Sequence, residues 1–108
     1  MKTTFLLTTL LSLTPVIAIG ADAEFSIVIK DHRFTPAEIT VPAGIKVKLV
    51  IDNQDATPEE FESHDLNREK VIAGKSKGTV FIGPLKAGKY PFVGEFNEAT
   101  AKGTIIAE

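Results

Sequence analysis

The chain of 108 residues contains no cysteine, and its single methionine is Met1. Without cysteine the chain can form no disulfide bond, can carry no lipid on an N-terminal cysteine, and can offer no thiolate to a metal ion. We therefore expect the stability of the folded protein to come from its hydrophobic core alone.

The sequence also lacks a cluster of basic residues. Its 12 Lys and Arg residues are outnumbered by 14 Asp and Glu residues, which gives a formal net charge of −2. The lysines are scattered over several segments, among them Lys46, Lys48, Lys75, Lys77, Lys86 and Lys89. Because nucleic acids and anionic membranes require a concentrated basic surface, neither is expected as a partner.

A hydrophobic run long enough to cross a membrane is absent as well. The segment from Met1 to about Ala23 has an early lysine, the apolar stretch FLLTTLLSLTPVIAIG and the small residues GADA, which is typical of a secretory signal peptide. Polar residues and Pro15 interrupt the stretch, which falls short of about 20 apolar residues, so a membrane anchor is disfavoured. Cleavage is expected after Gly20 or after Ala23, which leaves residues 24–108 as one exported, periplasmic domain.

Short apolar segments separated by turn residues make up the rest of the chain. Apolar and polar residues alternate in EFSIVIKD and IKVKLVIDN, and GTVFIGPL, GKYPFVGEF and KGTIIAE follow. Period-two alternation bounded by Gly and Pro predicts β-strands. Only TPEEFESHDLNREK could hold a helical turn. The sequence predicts an all-β fold, a Greek-key β-sandwich of six to eight strands, in one domain that buries roughly 60 to 65% of its unfolded surface.

Two stretches carry a resemblance to a known family: FTPAEITVPAGIKVKLVIDNQ, and later LKAGKYPFVGEFNEATAKGTIIAE. In this order and spacing they resemble the cupredoxin superfamily, specifically its EfeO-type cupredoxin-like branch. The resemblance extends from Phe25 to Glu108. It implies a cupredoxin-like sandwich with a metal site at one end.

The copper ligands of that superfamily are missing here. Blue copper proteins hold the metal with two histidines, a cysteine thiolate and a weak axial methionine. Counted from the tyrosine in GKYPF, the resemblance implies the cysteine position at Gly94 and the second histidine position at Asn97. The methionine position falls near Ala101 or Lys102, and the first histidine position falls at or beside Glu60. No blue copper centre can be built from these residues.

Carboxylates and imidazoles stand near the same positions. In an extended segment Glu60, Glu62 and His64 would share one face, because side chains alternate with period two. The resemblance places Glu95, and His32 in KDHRFTP, near the same end of the fold. Hard carboxylate oxygens with imidazole nitrogens suit Fe, Mn, Zn or Cu(II), but not Cu(I). We predict a site for a copper or iron ion at these five residues.

Structural roles compete with metal binding for several residues. His64 could instead cap the turn that follows it, and His32 could be a half-buried histidine bonded to a backbone carbonyl. Glu59 and Glu98 are expected to be solvated surface charges. Gly94 leaves a small space or lets the backbone approach a neighbour closely. Three aromatic residues are expected to wall this end by packing: Phe61, Phe92 and Phe96.

Catalytic constellations are not found in the sequence. Ser63, His64 and Asp65 are consecutive and point to opposite faces of a strand, so they cannot form a relay. We predict a periplasmic metal-binding protein that is not an enzyme, with assistance to ferrous ion oxidation left open. The resemblance implies a role in iron uptake beside an iron permease. The alternative is a metal-free interaction module that docks on a transporter or a partner subunit. A copper chaperone is a weaker third hypothesis, since it would need the absent Met and Cys ligands.

Overall fold

The computed structural model describes residues 23–108, and the predicted signal peptide lies outside this range apart from Ala23. Within the range, the chain forms nine strands and one 3₁₀ turn. These are β1 (Ala23–Lys30), β2 (Arg33–Thr35), β3 (Glu38–Val41), β4 (Val47–Asn53), β5 (Glu59–Ser63), β6 (Arg68–Ile72), β7 (Ser76–Ile82), β8 (Gly88–Gly94), the 3₁₀ turn (Glu95–Asn97) and β9 (Lys102–Ala107). None of the helical structure in residues 23–108 could span a membrane.

Two sheets pack against each other as a β-sandwich. The strand order is β2-β1-β4-β7 in one sheet and β3-β9-β8-β5-β6 in the other. β1 runs parallel to β4 and β3 runs parallel to β9, whereas the remaining neighbours are antiparallel. The predicted all-β sandwich is confirmed. The described residues hold nine strands, more than the predicted six to eight, because β2, β5 and β6 are too short or too polar to stand out in the sequence.

Alternating residues of the central strands fill the space between the sheets. Ile27 and Ile29 of β1 are fully buried, as are Val47, Leu49 and Ile51 of β4. The residues between them are more exposed, which is the period-two pattern predicted for both strands. Each such side chain removed from water stabilises the fold by about 1.5–3 kcal/mol.

Phe34, Phe61 and Phe92 form an aromatic cluster in this core. The ring centroid of Phe92 lies 4.9 Å from that of Phe34, edge to face, and 4.9 Å from that of Phe61, stacked. The predicted packing role is confirmed for Phe61 and Phe92, which are buried. Phe96 differs, because 51% of it is exposed and it does not belong to the core.

The polar stretch TPEEFESHDLNREK forms a β-hairpin and not the helical turn that the sequence allowed. Its first strand, β5, buries Glu59, Phe61 and Ser63 on alternate positions. Ser63 Oγ donates to the carbonyl oxygen of Pro91 at 2.7 Å and accepts from Leu66 N at 3.1 Å. These contacts to β8 and to the hairpin turn outweigh any local helical preference, as tertiary packing commonly does.

Four connections meet at one end of the sandwich, which we call the pole: residues 31–32, 54–58, 73–75 and 95–101. Hydrogen bonds tie them together. The buried Asn53 donates from Nδ2 to the carbonyl oxygens of Thr57 at 2.9 Å and Ile72 at 3.1 Å. Thr100 Oγ1 donates to the carbonyl oxygen of His32 at 2.6 Å. The pole therefore joins both sheets.

Candidate functional site

The two faces of β5 carry two different sets of carboxyl groups at the pole. Glu59 points between the sheets and is 2% exposed. Glu60 and Glu62 point away from the core and are partly exposed. We call the first location the inner pocket, defined by Glu59, Gly94, Asn97 and Ala101. The second is the outer cluster, defined by Glu60, Glu62 and Glu95.

Both oxygens of the Glu59 carboxyl group accept hydrogen bonds inside the inner pocket. Its Oε1 accepts from Glu60 N at 2.9 Å and from Phe96 N at 2.8 Å, and its Oε2 accepts from Asn97 Nδ2 at 2.8 Å. Buried polar groups are tolerated when they are paired in this way. The prediction that Glu59 is a solvated surface charge is therefore wrong, whereas Glu98 is exposed as predicted.

Gly94 gives the Glu59 carboxyl group the space it occupies. A Cβ on Gly94 would lie 2.7 Å from both Cδ and Oε2 of Glu59, and 2.6 Å from the Cβ of Ala101. No side chain fits there without displacing one of them. Of the two readings of Gly94, the close approach is the correct one, and the group that approaches is a side chain from β5.

Three carboxyl groups meet in the outer cluster. Glu95, at the start of the 3₁₀ turn, hydrogen-bonds with the side chains of both Glu60 and Glu62. The hydrogen bond to Glu95, with desolvation and the nearby negative charges, raises the pKa of Glu62 to about 7 and also raises the pKa of Glu60. The same hydrogen bonds lower the pKa of Glu95. The cluster therefore shares a proton between carboxyl groups, as closely spaced like charges do.

His64 lies beside this cluster at the end of β5. It lines a cleft of about 300 Å³ together with Glu62, Val93, Glu95 and Glu98. Its positive charge partly opposes the rise in the pKa of Glu62, and it adds to the lowering of the Glu95 pKa that the hydrogen bonds cause. The hairpin turn is closed by a backbone bond from Asn67 N to the carbonyl oxygen of His64 at 3.0 Å, so the backbone and not the imidazole closes the turn.

His32 lies in the turn between β1 and β2. Its φ of 57° and that of Asp31, 52°, are positive, as a tight hairpin turn requires. Both backbone N–H groups donate to Asp55, at 2.8 Å for Asp31 and 3.0 Å for His32, and the bond from His32 is the main reason that the pKa of Asp55 is lowered. The imidazole is 47% exposed, so it is about half buried as expected, but its Nδ1 lies 3.5 Å from Asp55 Oδ2. Its partner is therefore a carboxylate and not the expected backbone carbonyl.

The structure brings together four of the five predicted ligands: Glu60, Glu62, Glu95 and His64. His32 pairs with Asp55 instead. Among residues 23–108, no three His, Asp or Glu side chains already stand in the geometry of a metal site. The carboxylates of the outer cluster would therefore have to change their side-chain conformations to bind an ion.

Comparison with known proteins agrees with the fold. Residues 3–107 match the family described as Cupredoxin-like domain. The chain belongs to this family. An uncharacterized protein of Rickettsia prowazekii (strain Madrid E) is 48% identical over 83 residues, which are 77% of this chain and 66% of that protein. The chain thus matches slightly less than two thirds of that relative.

Solved cupredoxin-like structures superpose well at low identity. One is the metal-binding domain of the Cu(I)-exporting P-type ATPase CopA of Streptococcus pneumoniae, with Cu(I); its TM-score is 0.70 at 14% identity, covering 85% of this chain and 91% of that one. Another is auracyanin A, a blue copper protein from Chloroflexus aurantiacus; its TM-score is 0.70 at 16% identity, covering 81% of this chain and 99% of that one. At such identities the likeness shows the fold alone.

The inner pocket does not fit the copper centre that the resemblance implies. The cysteine position is Gly94, and the methionine position is Ala101 or the exposed Lys102; the side chains of Gly94 and Ala101 have no donor atom. The second histidine position is the amide of Asn97. The first position, expected at or beside Glu60, resolves to Glu59, because Glu60 faces outward. Blue copper needs a thiolate and two imidazoles, whereas this pocket holds one carboxyl group whose two oxygens already accept hydrogen bonds.

Sequence reasoning missed the role of Glu59. The signal was present, because Glu59 alternates in step with Phe61 and out of step with Glu60 and Glu62. Because side chains alternate along a strand, Glu59 and Phe61 must point to the inner face when Glu60 and Glu62 point to the outer face.

Proposed function

We propose that this chain is an exported, periplasmic protein that binds a Cu(II) or iron ion at the outer cluster. The observation that carries the proposal is the meeting of Glu95, from the 3₁₀ turn, with Glu60 and Glu62 of β5. The fold brings these carboxyl groups together from two distant segments.

The chemistry of the outer cluster favours a hard or borderline cation. Carboxylate oxygens and an imidazole suit iron and Cu(II), and Cu(II) binds such donors with high affinity. The hydrogen bonds to Glu95, desolvation and the neighbouring negative charges raise the pKa of Glu60 and Glu62, and a bound cation would take the place of the proton that these carboxyl groups then hold. Glu60, Glu62 and Glu95 are at least partly exposed, so their side chains can rotate to reach one ion.

The wider role we propose is accessory to iron uptake, as in the EfeO-type branch that the sequence resembles. An iron permease, or another transport component of the periplasm or inner membrane, is the proposed partner. The chain binds and presents the metal in this proposal and turns over no substrate of its own. The apolar run before residue 24 supports export.

A metal titration tests this proposal. Chelator-treated protein is titrated with Cu(II), Fe(II) and Fe(III), while metal content per chain and melting temperature are measured. Ligand at about 100 times its dissociation constant stabilises a folded protein by about 2.7 kcal/mol, which raises the melting temperature of a domain of this size by roughly 10 °C or more. We expect stoichiometric uptake with a rise of this order.

Two variants make the titration specific. The triple variant E60Q/E62Q/E95Q removes the charges of the outer cluster and should abolish both metal uptake and the rise in melting temperature. Glu38→Gln is the matched control, because Glu38 is an exposed carboxylate on β3 of the same sheet, and it should behave like wild type. Unchanged stability of the wild-type protein at excess metal contradicts the proposal.

A metal-free docking module is the second candidate function. The observation that favours it is a pair of exposed apolar side chains next to the outer cluster: Val71, 55% exposed and paired with Glu60, and Phe96, 51% exposed. A partner subunit or transporter could cover them. This function predicts no metal uptake, together with loss of partner binding when Phe96 is replaced by serine.

A further inference from the structure

The 3₁₀ turn at the pole begins without a side-chain cap of its own. Gly94 stands at its N-cap position and provides no side-chain hydrogen bond. The first N–H groups of a helical turn have no partner within the turn. Phe96 N, in this first turn, donates instead to Oε1 of Glu59 at 2.8 Å, so a residue of β5 supplies the cap.

The same carboxyl group holds the rest of the loop 95–101. Asn97 Nδ2 donates to Oε2 of Glu59 at 2.8 Å. The carbonyl oxygen of Asn97 in turn accepts from Ala101 N at 2.8 Å, and the carbonyl oxygen of Ala101 accepts from Gly94 N at 2.9 Å. The buried carboxyl group thus connects β5 to the first residues of the loop, and backbone bonds connect these residues to Ala101 at its other end.

These contacts occupy the place that the family resemblance reserves for copper. Gly94, Asn97 and Ala101 are the positions expected for three of the copper ligands, and all three surround the Glu59 carboxyl group. In a copper site those side chains would be drawn together by the ion. Here they are drawn together by hydrogen bonds to, and close packing against, one side chain.

We propose that Glu59 is a built-in replacement for the metal ion: its carboxyl group closes the inner pocket and orders the loop 95–101 without copper. The inner pocket is then a structural site and not a metal site. This inference does not depend on whether the outer cluster binds metal.

A metal ion in the inner pocket would meet two physical obstacles. Binding through Glu59 would take the carboxyl group away from the N–H groups of Glu60 and Phe96, and an unpaired buried donor is costly. The pocket also leaves no room, since even a Cβ at Gly94 would lie 2.7 Å from the carboxyl group. The remaining donors, an amide oxygen and backbone groups, are weak compensation for Cu(II).

Hydrogen exchange measured by NMR on metal-free protein tests the proposal directly. In wild-type protein after chelation, we expect the amide protons of Glu60 and Phe96 to be protected without any added metal. The Glu59→Ala variant should lose this protection by at least about tenfold and lower the melting temperature by roughly 5–15 °C. Glu62→Ala is the matched control on the same strand and should keep both amides protected.

The conservative variant Glu59→Gln covers the case in which Glu59→Ala does not fold. The glutamine oxygen can still accept from Glu60 N and Phe96 N, and Asn97 can turn its amide over to accept from the new NH₂ group. Protection of both amides should therefore persist in Glu59→Gln, with a smaller loss of melting temperature. If the amides of Glu60 and Phe96 exchange in Glu59→Gln as fast as those of an unfolded loop, the result contradicts the proposal.

Metal stoichiometry separates this inference from the proposed function. If metal uptake disappears in Glu59→Gln but survives in E60Q/E62Q/E95Q, the inner pocket is the metal site and the inference is overturned. Unprotected amides in chelated wild-type protein that become protected on adding Cu(II) would overturn it too. If wild-type protein takes up no metal but the Glu59 variants behave as expected, the proposed function fails and the inference stands.

Discussion

Glu59 and Glu60 are consecutive residues of one strand, and the fold treats their carboxyl groups in opposite ways. Glu59 faces three N–H donors and is buried. Glu60 faces the carboxyl group of Glu95 and has a raised pKa. The backbone N–H of Glu60 donates to the Glu59 carboxyl group. Glu60 therefore contributes its backbone to the inner pocket and its side chain to the outer cluster.

The difference shows what decides whether a carboxyl group stabilises a fold or remains available to a ligand. A carboxyl group whose two oxygens both accept from buried donors acts as a cross-link between elements. Carboxyl groups that face one another keep an unsatisfied negative charge, which a cation can neutralise. The carboxyl group of the inner pocket therefore stabilises the fold, whereas the carboxyl groups of the outer cluster remain available to a cation.

Replacing Gly94 with alanine should break the inner pocket most severely. The new Cβ would lie within 2.7 Å of the Glu59 carboxyl group and 2.6 Å from Ala101, and overpacking of this kind costs about 1–3 kcal/mol in free energy of unfolding. Urea denaturation measures this loss. Gly88→Ala, on the same strand, is the control, because its Cβ would come no closer than 3.7 Å to the side chain of Tyr90.

The same substitution can be tested for coupling to Glu59. In a Glu59→Ala background, Gly94→Ala should lower the free energy of unfolding by less than it does in wild-type protein. The reason is that the clash with the Glu59 carboxyl group is absent and only the clash with Ala101 remains. Equal costs in the two backgrounds would show that Glu59 does not occupy the space beside Gly94.

Asn97→Ala should have the next largest effect. It removes one of the three hydrogen bonds to the Glu59 carboxyl group, and the loss of a partner by a buried polar group costs about 1–3 kcal/mol in free energy of unfolding. The exposed neighbour variant Glu98→Ala should change that free energy by about 0.5 kcal/mol or less. Similar losses in the two variants would mean that Asn97 is only a surface residue of the loop.

Much of the fold could be predicted from the sequence because its central strands are regular. β1 and β4 show clean period-two alternation, and their inward residues are the buried ones. β5 and β6 were not predicted, because β5 buries Glu59 and Ser63 beside Phe61 and its polarity hides the pattern. Only the contacts with β8 and the 3₁₀ turn explain why those polar residues are inside.

The candidate site was predictable in one half and not in the other. For an extended segment, strand periodicity puts Glu60 and Glu62 on one face, as the structure does. His64 lies in the turn after β5, and Glu95 was placed nearby by the family resemblance. The burial of Glu59 depends on three donors, two of them from the 3₁₀ turn. No local pattern reveals that such donors converge, because they become neighbours only after β5 and β8 pair.

Glu62→Gln should change how the stability of the protein depends on pH. Because the pKa of Glu62 is raised to about 7, folded protein holds a proton that unfolded protein releases near pH 4.5, so this contribution to stability is lost as pH rises toward and through 7. Glu60 acts in the same direction, whereas Glu95, with its lowered pKa, contributes stability that is lost on acidification. Glutamine at position 62 removes the repulsion from Glu69 and Glu95.

The variant should therefore raise the melting temperature at pH 8 by about 1–3 °C, with a smaller change at pH 5. Thermal unfolding across this pH range measures the effect, and Glu38→Gln provides the control for loss of one exposed carboxylate. A melting temperature that drops at pH 8 in Glu62→Gln would show that Glu62 is held by favourable contacts and that the outer cluster is not crowded with negative charge.

His64→Ala should give the smallest effect, and it tests whether the imidazole belongs to the outer cluster. The charge of His64 lowers the pKa of Glu62, so its removal should raise the Glu62 pKa slightly further, as seen in an NMR titration of the side-chain carboxyl carbon. His32→Ala is the control, since His32 pairs with Asp55 at the other side of the pole.

At about 1 M salt the screening length shrinks to about 3 Å, and the difference in the Glu62 pKa between wild type and His64→Ala should disappear because both groups are reached by solvent. A difference that persists at high salt would mean that His64 acts on Glu62 through a direct bond, which would make it a stronger ligand candidate than its exposed position indicates.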